Sequence, residues 1–336
     1  MKFAIVGATG IVGSELISLI DSGYFPECSE IIPIASSDSV GKTIDCKNEK
    51  WTCRSLELES FRDIDIASFS VGDELSAEWI PKLLNAYPDI RIVDKSNSFR
   101  MSNNVPLVVY GVNQNYIFDG CRLVANPNCT TIQLAIALKP IFDSFGLSRL
   151  IVSTYQSVSG GGRDALDYLN NEIDSFEKPH IPTELNSKGI AHNVLPLIGS
   201  LDEHGFAGEE SKITNETQKI FNNIALKVIA TSCRVDVFVG HSISVYLELK
   251  QAAEYLGIEE CLRNGYAIDY FPNIPELFPT PLSASRPDYD FVQVGRLREI
   301  GDTGKEYFLF CCANNLRIGA ALNALRIGRQ MLGLSN

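Results

Sequence analysis

Residues 2–13, KFAIVGATGIVG, run from an apolar strand-like stretch straight into glycines at positions 7, 10 and 13, and a helical pattern through Leu16, Leu19 and Ile20 follows. A buried strand that enters a helix through so tight a turn opens a parallel α/β sheet. Such glycines let the backbone approach a pyrophosphate, and the free N–H groups of the helix N-terminus offer it a positive dipole end. The spacing, G-x-x-G-x-x-G, is a variant of the dinucleotide fingerprint. A tight turn with a close helix contact also selects glycine, so these residues alone leave both readings open.

The alternation continues. EIIPIA predicts a second strand, ending at SSDSVGK (36–42), where the adenosine ribose of a dinucleotide would lie. IDIASFSV and IRIVDKS read as further strands and SAEWIPKLLNAY as a helix, which predicts an open α/β sheet to about residue 125. After residue 150 the pattern changes: LIVSTYQSVSGGG and RVDVFVGHSISVYLEL predict longer strands in an α+β domain with a largely antiparallel sheet. FPNIPELFPTPLSASRP, with five prolines, reads as an ordered surface loop. NNLRIGAALNALRIGRQML is helical in period and is expected to return to the first domain. At 336 residues two domains are expected: 1–125 completed by 315–336, and 126–314.

Composition narrows the function. A formal charge of −12 disfavours nonspecific nucleic-acid binding. No apolar run reaches the roughly 18 residues of a membrane helix, and the start lacks a signal-peptide pattern, so a cytoplasmic protein is expected. Nine cysteines without a C-x-x-C pair indicate neither a disulfide framework nor a metal site. Only His180, His192, His204 and His241 are available as an imidazole base.

In RLVANPNCTTIQLAIAL, Leu123 to Ala125 end a strand, Pro127 blocks its continuation, and Thr130 onward starts a helix. Cys129 therefore sits at a helix N-terminus, where N–H groups and the dipole favour a thiolate and hold an oxyanion. The alternative is a small residue filling space. His241 is the candidate partner. Val235, Val237, Val239, Ile243 and Val245 form an apolar face on which strict alternation places His241, whereas a bend at Gly240 turns it toward Arg234. A core histidine bonded to a backbone carbonyl is the other reading. Arg100 in SNSFR is an anion clamp or a surface ion-pair partner. GEESK groups Glu209, Glu210 and Lys212, a pattern that usually marks a solvated helix face, and YQSVSGGGR places Gln156 in a ligand loop or a plain turn.

Taken in order, GATGIVG, DKSNSFRM, NPNCTT, TYQSVSGGG, GEESK with NET, RVDVFVGHS, VGRLRE and NNLRIGAALNA resemble the aspartate-semialdehyde dehydrogenase family over essentially the whole chain. The resemblance implies an N-terminal Rossmann-like domain and a catalytic and dimerisation domain, assembled as a homodimer or homotetramer. It implies NADPH-dependent reduction of L-aspartyl 4-phosphate to aspartate semialdehyde with release of phosphate, on the route to lysine, threonine and methionine. By matching position, Cys129 resembles the acyl-thioester nucleophile, His241 the acid/base and Gln156 the substrate-positioning glutamine. Arg234 matches the carboxylate grip, Glu209 the residue near the substrate amine, and Arg100, Asn128 and Lys212 the substrate and phosphate binders. Gly7, Thr9, Gly10, Ile11, Val12, Ser36, Ser37, Asp38, Ser159, Gly160 and Asn315 fall on cofactor positions.

Some residues depart from that pattern. Asp38 stands where many members carry an arginine for the NADP 2′-phosphate; a carboxylate there repels that phosphate, which predicts weakened NADP preference or dual NAD/NADP use. Gly111 replaces a glutamate, and Asn314 and Ile318 depart from Asp-Asn-Leu-Arg-Lys. Two other readings remain. The related reductase of N-acetyl-glutamyl phosphate takes a substrate without a free amine, against which Glu209 and the surroundings of Cys129 speak. A noncatalytic paralogue is opposed by the presence of every residue tied to the chemistry.

Overall fold

The computed structural model describes residues 1–175 and 189–334. His180 lies outside the described residues. The backbone divides into two units, 1–128 with 319–336 and 129–318, against the expected boundaries at 125/126 and 314/315.

In the first unit, β1 (Lys2–Val6), α1 (Ile11–Asp21), β2 (Glu30–Ile34), the hairpin β3 (Thr43–Cys46) and β4 (Glu49–Thr52), β5 (Ile66–Phe69), α2 (Asp73–Ala86), β6 (Arg91–Asp94) and β7 (Leu123–Ala125) follow in order. Five strands form a parallel sheet, β2-β1-β5-β6-β7. Parallel strands are covered on both faces and read as continuous apolar runs, as β1 and β5 do. One face packs Phe3, Ile5 and Val93 with Leu16 and Ile20 of α1; the other packs Ala4, Phe69 and Ile92 with Ile80 and Leu83 of α2. Each large apolar side chain buried this way contributes roughly 1.5–3 kcal/mol.

The expected C-terminal helix is shorter than its sequence pattern. A π-helical turn (Arg317–Ala321) precedes α8, which spans Leu322–Met331. Its Leu322, Leu325 and Ile327 join the first unit's core, and Asn323 bonds Val108 O, the Asn126 side chain and the Tyr110 N–H. The turn is anchored by Asn314, whose Oδ1 accepts from the N–H groups of Leu316 and Arg317. Asparagine thus supplies there the same acceptor an aspartate would.

The second unit contains α3 (Cys129–Phe145), β8 (Leu147–Gln156), α4 (Arg163–Ser175), β9 (Val194–Leu195), α5 (Gly208–Ile220), β10 (Lys227–Val235), β11 (His241–Leu249), α6 (Tyr255–Arg263), β12 (Ile268–Tyr270), α7 (Pro281–Ala284), β13 (Val292–Ile300) and β14 (Glu306–Ala313). Among the described residues seven strands form one sheet, β12-β13-β14-β11-β8-β10-β9. Only β12 with β13 and β10 with β8 pair in parallel; the other neighbours are antiparallel.

The stretch RVDVFVGHSISVYLEL is two strands, a correction to its continuous alternation. β10 and β11 lie on opposite sides of β8, and the chain turns between them at Gly240, whose φ is +98°. A side chain at 240 would meet Ser285 Oγ at 2.7 Å and Pro281 O at 2.9 Å, so only glycine passes there. The proline-rich segment that supplies these atoms contains a 3₁₀ turn (Pro275–Leu277) and α7, capped by Thr280. Among the described residues no helix is long and apolar enough to cross a membrane.

Candidate active site

The glycines of the first unit divide their labour. Gly7 has φ +83°, and a Cβ on it would lie 2.5 Å from Ser70 O; a Cβ on Gly13 would lie 2.2 Å from Gly7 O. Both positions are demanded by close backbone packing. Gly10, the N-cap of α1, is exposed, and no side chain caps the helix. The N–H groups of the first turn around Thr9, Ile11 and Val12 are thereby left for an anion, so this turn fits a dinucleotide pyrophosphate. Ser36, Ser37 and Asp38 follow β2 and are exposed, with Ser37 donating to Asp38 Oδ1 at 3.3 Å. Lys42 donates to Ser39 Oγ, and the main chain of Arg54 pairs with Pro33 and Ala35, which brings two cations to this end of the sheet.

Arg100 is buried in the first unit, its guanidinium donating to Asn126 O at 3.1 Å and Lys95 O at 2.7 Å. It is no surface ion-pair partner. Asn128 is buried at the end of the same unit. Gly111, one of the departures from the family pattern, takes φ +85°, a conformation side chains rarely adopt.

In the second unit Cys129 is the first residue of α3 and is partly exposed. Its Sγ lies 3.3 Å from His241 Nε2. His241 is completely buried, as its strand alternation requires, and it also faces Arg234, as a bend at Gly240 would achieve. Nδ1 accepts the Ser157 N–H at 3.0 Å instead of donating to a carbonyl. Burial first, and then the Arg234 charge, push the imidazole pKa down to about 3.

Further side chains gather around this pair. Arg234 donates to Ser157 O at 2.6 Å and feels the charges of Cys129 and Glu209. Gln156 donates to Glu209 Oε1 at 3.0 Å and accepts from Thr154 at 3.1 Å; Lys212 lies 3.5 Å from Glu209 Oε2. Glu209 is thus a buried carboxylate bridging Gln156 and Lys212, not part of a solvated helix face. Gly160 leaves the Arg234 and His241 side chains room, since a Cβ there would sit 3.0 Å from one and 3.2 Å from the other. Ser159 and Asn315 bond each other at 3.0 Å. His192 and His204 are exposed and stand beside carboxylates.

Two residues escaped the sequence. Ser157 meets His241 through both its N–H and its hydroxyl. Gln133, one helical turn after Cys129, donates to His241 O at 3.1 Å and Cys311 O at 3.2 Å, tying the cysteine's helix to the histidine's strand. A lone glutamine inside the apolar run TTIQLAIAL was the available signal.

A glycine-framed helix N-terminus on a parallel sheet, together with a cysteine at the start of a helix beside a histidine on a mixed sheet, is the arrangement of a dinucleotide-binding oxidoreductase. Residues 2–119 match the semialdehyde dehydrogenase NAD-binding domain and residues 138–318 the semialdehyde dehydrogenase dimerisation domain. Aspartate-semialdehyde dehydrogenase of Aquifex aeolicus is 38% identical over 98% of each chain, and that of a Shewanella species 37% identical over 98% of this chain and 96% of its own. The crystal structure of aspartate semialdehyde dehydrogenase II from Vibrio cholerae, complexed with ASA, superposes with a TM-score of 0.90 at 35% identity, covering 99% of this chain and 98% of that one. The chain belongs to the aspartate-semialdehyde dehydrogenase family.

Proposed function

We propose that this chain reduces L-aspartyl 4-phosphate to L-aspartate 4-semialdehyde through a thioester on Cys129. The observation that carries the reading is the Cys129 thiol at the start of α3, 3.3 Å from an imidazole nitrogen. The sulfur attacks the acyl carbon as the bond to phosphate breaks, which divides a difficult displacement into two easier steps. N–H groups at the start of α3 receive the negative charge that develops on the acyl oxygen. Arg234 takes the substrate carboxylate, Gln156 orients it and Glu209 receives its amine; Arg100, Asn128 and Lys212 bind phosphate. His241 is the imidazole that serves the sulfur.

The turn at Gly7 to Val12, with Ser36, Ser37, Ser159, Gly160 and Asn315, holds the dinucleotide, which supplies the hydride when bound. NADP is the proposed cofactor, with NAD also accepted because Asp38 faces the ribose end. The proposed location is the cytoplasm, whose reducing conditions suit a free thiol at Cys129. The proposed assembly is a homodimer, or a homotetramer built from it. Ile229, Ile151, Tyr246 and Phe308 are register neighbours across four strands, and Ile151 and Ile229 are exposed, an apolar row on one face of the second unit's sheet that a second copy would cover.

The test is phosphate-dependent reduction of NADP⁺ and of NAD⁺ by purified protein given aspartate semialdehyde. Turnover is expected with this aldehyde and not with N-acetylglutamate semialdehyde. Folded protein inactive with both cofactors would favour the noncatalytic reading.

A further inference from the structure

The main chain constrains the protonation form of His241. A backbone N–H only donates, so the Ser157 N–H, 3.0 Å from Nδ1, requires the lone pair of that nitrogen. In the neutral ring the proton then sits on Nε2, the atom 3.3 Å from Cys129 Sγ. A nitrogen that already carries a proton cannot receive the thiol's. To become an imidazolium, the ring would have to carry a second proton on Nδ1, which would face the Ser157 N–H and displace it, with only the Ser157 hydroxyl oxygen, 3.0 Å away, to accept it. Among charged and titratable groups, Cys129 from α3 and Arg234 from β10 face this ring, and Arg234 also opposes a positive charge on it.

The clamp has a second layer. Ser157 Oγ lies 3.0 Å from Nδ1 and 3.1 Å from Asn315 Oδ1, and Asn315 Oδ1 accepts the Gly240 N–H at 2.9 Å. Asn315 therefore holds both the residue that contacts the ring and the turn from which His241 departs. These contacts engage the Asn315 oxygen from within the second unit.

We propose that Cys129 and His241 rest as a thiolate and a neutral imidazole protonated on Nε2, with the Ser157 N–H as the positioning group that selects this tautomer. The inference rests on the proposed reaction and states the protonation form from which it starts. The S–H bond breaks with its electron pair remaining on sulfur, and the proton passes to solvent, not to His241. The thiolate is then stabilised by the Nε2–H, by the start of α3 and by the Arg234 charge. His241 acts toward sulfur as a hydrogen-bond donor.

Nitrogen NMR on resting full-length protein labelled with ring-¹⁵N histidine tests this. The His241 signals are those missing from His241→Gln. Between about pH 5 and 9 they are expected to show a proton on Nε2 only, without titrating, because the imidazolium form is suppressed. Protonation of both nitrogens in that range, or a proton on Nδ1, would overturn the inference. Ser157→Ala keeps the N–H and is expected to leave the tautomer unchanged; a switch to Nδ1 would show that the N–H does not select it. Turnover is measured separately. An inactive protein with the expected tautomer would count against the proposed reaction alone, whereas an active one with an imidazolium would overturn this inference alone.

Discussion

Each unit holds a helix that starts abruptly, and the two beginnings work in different ways. α1 starts after Gly10, with glycines before and within it and no capping side chain; α3 starts at Cys129 behind Asn-Pro-Asn. At the first, what matters is missing side chains, so that backbone N–H groups are presented. At the second, one side chain matters, and its neighbours arrive from β8, β10, β11 and the segment after β14. A backbone site is written in a dozen contiguous residues. A side-chain site has to be assembled by a sheet.

The contrast extends to buried titratable groups. Lys95, just after β6 in the first unit, has an enclosed Nζ with no hydrogen-bond partner among the described residues, and burial pushes its pKa down to about 7, with the Asp94 charge opposing. His241 in the second unit has a partner on each ring nitrogen. The first is a cost carried by the fold, and the second is part of the proposed site.

The sharpest way to separate the two helix starts is Cys129→Ala. Turnover is expected to fall by at least about 10⁴-fold while dinucleotide affinity, followed by cofactor fluorescence, stays near that of the wild type. Retained turnover would show that the second start works without its side chain. Gly13→Ala reverses the experiment. Its Cβ would lie 2.2 Å from Gly7 O and 2.9 Å from the Ala8 Cα, both backbone, so the helix must shift, at a loss of about 1–3 kcal/mol in urea unfolding. Weaker cofactor binding should accompany it, and an unaffected fold would mean that the tight turn is not what this glycine secures.

Lys95→Met is expected to stabilise the protein by about 1–2 kcal/mol at neutral pH. The folded pKa of about 7 lies below the unfolded value near 10.4, so the unfolded chain binds more protons between them and stability rises with pH across that window. The penalty is full below pH 7 and gone above roughly pH 10. The gain from Lys95→Met should therefore shrink as pH rises from 7 to 10; a difference constant across that range in thermal melts would contradict the assignment. The smallest effect expected is that of Asp38→Arg, which should raise the NADP-to-NAD ratio of kcat/KM by on the order of tenfold. An unchanged ratio would transfer the discrimination to other groups at the ribose end, Lys42 and Arg54 foremost.

The parallel sheet of the first unit was legible strand by strand, although the β3–β4 hairpin beside it was not. KFAIV, EIIPIA, IDIASFSV and IRIVDKS contain strands of the observed sheet, because a strand buried on both faces must be apolar throughout. The second unit was legible in composition and less so in path. Alternation ran unbroken through residues 234–249, but periodicity carries no information about which side of β8 a strand will join, and the break at Gly240 depends on Pro281 and Ser285 far along the chain. Glu209 read as a surface residue since three charges in five residues usually face water; its burial follows from Gln156 and Lys212 meeting it.

What the sequence determined by itself was local: a strand and glycine turn that present backbone to an anion, a cysteine at a helix start, and an ordered set of motifs shared with the aspartate-semialdehyde dehydrogenases. What only the tertiary structure decided was which atoms meet. The Ser157 N–H on Nδ1, Gln133 on the carbonyl of His241 and Asn315 on Gly240 are contacts across 84, 108 and 75 positions of chain. Hydrogen bonds act over about 3 Å, and contacts so distant in sequence exist only once strand pairing has set the register.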